Sequence, residues 1–352
     1  MRNRLILLLS GLAFLLSSCK TDFDLNAEWK DITIVYGVLD PGKSVQQVRI
    51  NKAFLGEGNA LEYAKIADSI HYDTAVIKAV IEEYVNNALT RTIKLIPEWV
   101  DRDKVNVGPF YNPDFPKVIV YKTASYNWFA ISGKDTSWLN PSAKCKIIIT
   151  NKKSGKIISS EAPLVSGIKL VSPVYNSANP QLSVTNQENV NFSLKWTAGD
   201  NGKRYNTTMR FFYKEYVPGT LDTTLKYVDY TFATVKRDKT VQSTTQLSVS
   251  VPGSSYYASL KSLIPYNRDV RRIPYRMSIM FYVLGEEAST YLDVNNNTGG
   301  LVEDKVEYTN IDNGYGIFSA EMSLKYTFKI SSTMQYELQS YFQSVDGSFI
   351  KP

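Results

Sequence analysis

The chain has 352 residues, and this length predicts two domains. Hydrophobic residues make up 43% and charged residues 21%, so the chain can bury a core and is not disordered by composition. One histidine and two cysteines are too few for the usual zinc sites or for a disulfide framework. The net charge of +6 is small and unclustered, which argues against nucleic-acid binding.

Residues 1–18 have the pattern of a secretory signal peptide. Arg2 and Arg4 precede an apolar run, residues 5–16, that is too short to cross a bilayer as a helix. The sequence Leu16-Ser17-Ser18-Cys19 resembles the lipobox of bacterial lipoproteins. This resemblance implies cleavage before Cys19 and acylation of Cys19, for example with palmitate, which anchors the chain to a bacterial outer membrane. An ordinary signal peptide followed by a chance cysteine is the alternative.

Residues 19–30 are predicted to form a tether behind the anchor. An acidic cluster within residues 20–24 resembles the surface-export signal of Bacteroidota lipoproteins, and a plain polar tether explains the same residues. A surface-exposed and a periplasmic location therefore both stay open.

Residues 31–165 are predicted to form an N-terminal β-sandwich domain. Apolar and polar residues alternate along runs separated by turn residues, as in half-buried antiparallel strands. We expect strands near residues 32–38, 45–54, 75–84, 89–96, 117–123 and 144–150. A short helix over residues 60–67, capped by Asn59, interrupts them.

Residues 170–330 are predicted to form a second β domain that is fibronectin- or immunoglobulin-like. A boundary is expected near residues 162–174, and the first strand after it carries Trp196. Expected strands lie near residues 190–196, 207–216, 223–235, 247–251, 275–284 and 323–330. The fold class is therefore all-β dominated: two tandem β-sandwich domains with a few short helices.

Three more helices are predicted in the second half. One is capped by Ser254 or Ser255, and one covers residues 286–292. Residues 331–352 are expected to form a C-terminal helix or a tail, with Ser332 and Gln335 as a capping pair.

Two parts of the chain resemble a family of uncharacterised Bacteroidota envelope lipoproteins. One part is DITIVYGVL at residues 31–39 with INKAFLGEGNAL at residues 50–61, and the other is EYTNIDNGYGIFS at residues 307–319. The resemblance implies an envelope location and a β-rich body, and it supplies no catalytic residues. Some members are thought to accompany outer-membrane uptake receptors, which implies an accessory binding role.

Residues 293–304 echo a calcium-binding loop. Asp293, Asn295 and Asn297 offer oxygens at alternate positions and Asp304 is the twelfth residue, a spacing that suits hard Ca²⁺. Thr298 stands where such a loop needs glycine, and an Asn- and Gly-rich turn explains the same residues. We therefore expect no bound metal and no other cofactor.

Candidate catalytic groups are few. The paired acids at residues 82–83, 286–287 and 303–304 are the carboxylates a hydrolase needs, and solvated edges explain them as well. His71 has no nucleophile motif beside it. Cys145 lies in an apolar run and is predicted to be a buried, unreactive thiol.

Two features of the sequence concern carbohydrates: possible glycosylation sites and aromatic residues that could stack on sugar rings. Three triplets resemble the O-glycosylation sequon of Bacteroidota envelope proteins and present Ser69, Thr74 and Thr223 as acceptors. Aromatic residues at 211–213 and 256–257 are candidates for stacking on sugar rings, although core packing explains most of them.

These observations favour a lipid-anchored envelope protein that binds a ligand or partner without catalysing a reaction. An outer-membrane receptor is one candidate partner. A structural or adhesive surface lipoprotein and a carboxylate-dependent hydrolase are the alternatives. A concave pocket with convergent acids favours the hydrolase, and a large exposed apolar patch favours partner binding.

Overall fold

A computed structural model describes residues 32–53, 65–101, 116–124, 138–220, 222–238, 242–296, 307–343 and 349–350. The predicted signal peptide, the tether and Cys19 lie outside these residues, as do Asn297 and Asp304. Within the described ranges, no helix has both the length and the apolar character needed to cross a membrane.

Strands account for most of the regular structure, so the prediction of a mostly β chain is confirmed. They are β1 (Thr33–Leu39), β2 (Gln47–Lys52), β3 (Ile77–Val85), β4 (Ala88–Asp101), β5 (Lys117–Thr123), β6 (Lys144–Asn151), β7 (Ile157–Pro163), β8 (Leu170–Ser172), β9 (Gln181–Leu182), β10 (Asn191–Thr197), β11 (Arg204–Tyr216), β12 (Thr224–Thr231), β13 (Val235–Lys236), β14 (Gln246–Pro252), β15 (Arg271–Leu284) and β16 (Gly314–Ile330). The helices are α1 (Ala67–Ile70), α2 (Gly253–Leu263), α3 (Glu286–Asn296) and α4 (Ser332–Gln343).

The N-terminal region, defined as β1 to β7, is one curled antiparallel sheet with the strand order β1-β2-β5-β4-β3-β6-β7. Successive side chains of a strand point to opposite faces, so every second side chain points into the interior of this sheet. Val35, Ile81 and Ile147 are fully buried there. The curl brings β7 back to the segment before β16. There Ser159 and Asp312 exchange backbone hydrogen bonds of 3.3 and 2.8 Å.

The C-terminal region, defined as β8 to β15 with α2 and α4, has two layers. Strands β12, β11, β15 and β16 are neighbours in the large sheet, and β14, β10 and β8 form a separate 3-stranded sheet. Trp196 on β10 packs between the layers, with its ring centroid 5.9 Å from that of Tyr205 and 5.5 Å from that of Phe281. The Trp196 side chain is fully buried there.

Strand β16 belongs to both regions. Its first part, residues 314–320, pairs in parallel with β1, and its second part, residues 321–329, pairs antiparallel with β15. One continuous sheet therefore crosses the predicted boundary, and two separate tandem sandwiches are not confirmed. Sequence patterns missed this because a parallel pair between the first and last strands leaves no local signal.

Gly316 makes the parallel junction between β1 and β16 possible. Its φ of +106° lies in the left-handed region, and a Cβ added there meets the carbonyl oxygen of Val35 at 2.0 Å. Only glycine lets the two backbones approach this closely without strain.

The three helices predicted in the second half are present, and two of them lack their predicted caps. Helix α2 follows Pro252 and has no side-chain cap, so neither Ser254 nor Ser255 has the predicted role. At α4 the oxygen that accepts from the Met334 amide, at 3.1 Å, belongs to Ser331 rather than to Ser332. The predicted helix at residues 60–67 falls mostly outside the described residues, and α1 begins where that prediction ends.

Candidate functional site

Helix α3 lies on the outer face of the large sheet, opposite the main core. Leu284, Ala288 and Ile317 form a small separate cluster that holds it there. The Ala288 amide also donates to the hydroxyl of Ser319 on β16, at 3.0 Å. The helix extends to Asn296, four residues beyond the predicted end at residue 292. Its residues Tyr291 and Asn295 line one side of a cleft.

The cleft lies between α3 and the paired strands β1 and β16 and has a volume of about 390 Å³. Its apolar or small lining residues are Ile32, Ile34, Ala53 and Gly316. Its polar and aromatic lining residues are Tyr36, Tyr291, Asn295, Glu307, Tyr308 and Tyr315. This size is within the range of sites for small molecules.

Two tyrosine rings of the cleft face solvent. Tyr36 is 41% exposed and Tyr315 is 47% exposed, although both lie on paired strands. The ring of Tyr36 meets that of Tyr291 edge to face, with centroids 6.4 Å apart and planes at 76°. This contact connects the strand to the helix and fixes the orientation of the Tyr36 ring.

Two phenol groups of the cleft, those of Tyr36 and Tyr308, stay protonated at neutral pH. Burial and the neighbouring Tyr291 hydroxyl raise the pKa of Tyr36 to about 12. Burial and a hydrogen bond to the Glu287 carboxylate raise the pKa of Tyr308 above its usual value. The cleft therefore offers hydroxyl groups that can donate and accept hydrogen bonds, together with flat ring faces.

The calcium-loop interpretation does not fit the described half of its ligands. Asp293 and Asn295 lie within α3 instead of a loop. The Asp293 carboxylate pairs with Arg204 and, at 2.8 Å, with Lys236, which lower its pKa. The Asn295 amide donates to the Tyr291 carbonyl at 2.8 Å. No cluster of three or more His, Cys, Asp or Glu in the described part of the chain could hold a metal.

The paired acids are separately engaged. Glu286 pairs with Lys203 at 3.3 Å, while Glu287 accepts from Tyr308. Glu83 is 4% exposed and pairs with Arg91 at 2.9 Å. These carboxylates serve ion pairs and hydrogen bonds within the fold, and residues 303–304 lie outside the described ranges.

His71 and Cys145 are both buried. The imidazole of His71 is 5% exposed and packs edge to face on Trp99 with centroids 5.4 Å apart. Cys145 is fully buried, as predicted, and burial followed by the nearby charge of Glu83 raises the pKa of its thiol to about 12. A thiol with that pKa has almost no thiolate at neutral pH.

The predicted glycosylation acceptors lie near the surface of the fold. Thr74 and Thr223 are exposed, and Ser69 is half-buried in α1. Modification of these residues stays a prediction.

A larger cavity of about 510 Å³ lies beside the turn between β6 and β7. Its polar groups already serve local structure. The Asn151 side chain accepts from the Lys153 amide at 3.0 Å, and that of Asp73 accepts from the Ala75 amide at 2.9 Å. The hydroxyl of Tyr72 bonds that of Thr33 at 2.9 Å.

Sequence reasoning had singled out Asn295 of the cleft but none of its four tyrosines. Tyr36 and Tyr315 lie in the two segments that carry the lipoprotein resemblance, which was the available signal. The parallel pairing of β1 with β16 makes them neighbours. No protein-family model matches the chain, and no curated protein matches it either.

Proposed function

We propose that this chain is a non-enzymatic binding protein, anchored to a bacterial outer membrane through acylated Cys19, that holds a small neutral saccharide in the tyrosine-lined cleft. The observation that carries the proposal is the pair of exposed rings, Tyr36 and Tyr315, at the mouth of a 390 Å³ cavity. Delivery of the ligand to an outer-membrane uptake receptor is the role that the lipoprotein resemblance implies.

The chemistry of the lining favours a neutral polyhydroxylated ligand. Among its described residues the cleft has no lysine or arginine, and Glu307 is its carboxylate, so an anionic ligand gains nothing there. Protonated phenols and the Asn295 amide can exchange hydrogen bonds with ring hydroxyls. The faces of Tyr36 and Tyr315 can cover the apolar C–H faces of a sugar.

As part of the same proposal, the C-terminal region is an immunoglobulin- or fibronectin-like sandwich. The packing of Trp196 between the 3-stranded sheet and β11 and β15 supports this. The cleft lies where this sandwich adjoins the curled N-terminal sheet, because β16 contributes to both.

Calorimetric titration with glucose, N-acetylglucosamine, maltose and cellobiose tests the cleft. We expect at least one of these probes to bind, and Tyr36→Ala with Tyr315→Ala to weaken that binding at least tenfold. Each lost ring contact contributes about 1 kcal/mol, and about 1.4 kcal/mol is tenfold. Tyr336→Ala is the matched control, because Tyr336 is 64% exposed on α4. Absence of binding by all four probes, or equal binding by the variants, contradicts the proposal.

Cell fractionation tests the anchor and the partner. The wild type should appear in the outer-membrane fraction with acyl chains on Cys19 by mass spectrometry, and Cys19→Ser should lose both. Co-purification from native membranes should recover an outer-membrane receptor. Recovery of the protein alone argues for a role without a receptor.

A further inference from the structure

A second surface lies on the outer face of strands β12, β11, β15 and β16, away from the cleft. Strand register places Tyr227, Phe212, Arg276 and Lys329 in one row across these strands. Neighbouring strands are about 4.8 Å apart, so the row extends about 14 Å. We call this surface, with Lys214, Tyr275 and Lys325 beside the row, the cation–aromatic face.

Aromatic rings hold the cations of this face in place. The Arg276 guanidinium lies 4.6 Å from the centroid of Phe212 and 5.2 Å from that of Tyr275. The Lys214 ammonium lies 4.7 Å from the Tyr275 centroid, and that of Lys325 lies 5.9 Å from the Phe212 centroid. Such contacts orient the charges while leaving them free to bind anions.

Most of these positive charges lack an acidic partner. Arg210 is neutralised by Asp229 through hydrogen bonds of 2.7 and 2.8 Å. Farther along β16, Glu321 is already paired with Lys43 at 2.7 Å. Arg276, Lys214, Lys325 and Lys329 form no ion pair with any acid of the described residues.

One atom of the face is also unsatisfied. The Nε of Arg276 is buried and has no hydrogen-bond partner within the described part of the chain. A buried donor without a partner costs free energy that an anionic ligand beside it would recover.

Flat rings flank the cations. Tyr227 is 53% exposed and Tyr275 is 42% exposed, and both stand on the same side of the sheet as Arg276. An acidic peptide or a phosphate ion would use the charges but not the rings. A chain of sugar rings that bear carboxylate or sulfate groups uses both, since its apolar faces stack on aromatics while its anions pair with Arg and Lys.

We propose that the cation–aromatic face binds an anionic polysaccharide laid across strands β12, β11, β15 and β16. This goes beyond the proposed function, because it concerns another surface and a charged, polymeric ligand. The row is long enough for several sugar rings, whereas the cleft holds one or two.

Binding of the mature full-length chain to alginate and dextran sulfate, compared with neutral dextran, tests the proposal. We expect the two anionic polymers to bind, neutral dextran not to bind, and affinity to fall as salt rises from about 50 to 200 mM. The triple variant Arg276→Gln, Lys325→Gln, Lys329→Gln should bind at least tenfold more weakly. The control Lys78→Gln, Lys94→Gln, Lys117→Gln removes the same charge from exposed positions of the N-terminal region and should bind as the wild type does.

Two further double variants and a comparison with polyglutamate separate loss of binding from loss of folding and from attraction by charge alone. Lys325→Gln with Lys329→Gln changes only exposed side chains, so it preserves the fold if Arg276→Gln does not, and it should still weaken binding severalfold. Tyr227→Ala with Tyr275→Ala should weaken alginate binding but leave binding of neutral saccharide in the cleft unchanged. Equal affinity for polyglutamate and alginate, or equal loss in the triple variant and its control, overturns the proposal.

Discussion

The N-terminal and C-terminal regions fill their interiors with different side chains. In the N-terminal region most buried side chains are branched aliphatics such as Val35, Ile81 and Ile147, with Tyr121 as an aromatic member. In the C-terminal region buried aromatic rings are much more frequent. Its large fully buried aromatic side chains are Trp196, Tyr205, Phe211, Tyr256, Tyr257, Phe281 and Phe342.

The architecture explains this difference. A sheet that curls back on itself brings facing side chains close together, so compact branched residues fill its interior. Two layers about 10 Å apart leave room for interlocking rings. The edge-to-face contact of Trp196 with Phe281, at 63° between planes, is of this kind.

The two regions share β16, and this shared strand couples the stability of one region to that of the other. Because residues 314–320 complete one sheet segment and residues 321–329 the other, loss of either core removes a pairing surface from the same strand. We therefore expect the regions to unfold together.

The largest expected effect comes from Trp196→Ala. A fully buried tryptophan lost from the layered core should lower the free energy of unfolding by about 3–5 kcal/mol. Because the regions share β16, the free energy of unfolding measured by thiol labelling of Cys145, in the N-terminal region, should fall by the same amount. Denaturant titration followed by labelling measures both. Unchanged protection of Cys145 would show that the regions unfold independently.

Breaking the buried ion pair between Glu83 and Arg91 in the N-terminal region should have the next largest effect. Glu83 is buried and accepts from Arg91 at 2.9 Å and from the Asn140 amide at 3.0 Å. Arg91→Leu leaves the carboxylate without its charged partner and should cost about 3 kcal/mol by chemical denaturation. Adding Glu83→Gln should recover part of this loss, and no recovery would assign the effect to packing of Arg91 instead.

Gly316→Ala, on the shared strand β16, separates the cost of a positive φ from the cost of a steric clash with the backbone of Val35. Gly316→Ala must adopt a positive φ and also displace Val35, so it should cost about 1–3 kcal/mol or more. Gly155→Ala is the matched control, because Gly155 has a φ of +71° with nothing within 4 Å of an added Cβ. Equal melting temperatures for the two variants would argue against the close β1–β16 approach.

The smallest effect is a pH dependence in the C-terminal region. Burial opposes ionisation of Glu215, but hydrogen bonds from Lys226 and Arg272 outweigh it and lower the pKa of the carboxyl below its usual value. The resulting stabilisation is present above the unfolded-state pKa of about 4.3 and is lost as pH falls through the lower folded-state pKa.

Glu215→Gln measures this contribution. The variant should be less stable than the wild type by about 1 kcal/mol near neutral pH, and the gap should close below about pH 4. Thermal unfolding at several pH values follows it. A gap that widens in acid would contradict the lowered pKa.

Period-two alternation located the strands well. The strand predicted over residues 117–123 is β5 itself, and residues 144–150 match β6 to within one residue. Alternation succeeds at β6 because fully buried and partly exposed side chains alternate along that strand. Strand β5 is buried on both faces over residues 118–121, and its continuous run of apolar residues is the local signal there. The stripe of Met334, Leu338 and Phe342 on α4 was predictable for the same reason.

The sequence alone located most of the strands and predicted that Cys145 is buried and unreactive. It missed β7 and the first half of β16, because the last strand was expected only over residues 323–330. Only the tertiary structure decided that β1 pairs with β16, so the cleft of Tyr36, Tyr291 and Tyr315 has no local signature. Hydrophobic periodicity depends on neighbours within a few residues. A parallel pair formed by strands almost 280 residues apart depends on how the whole chain packs.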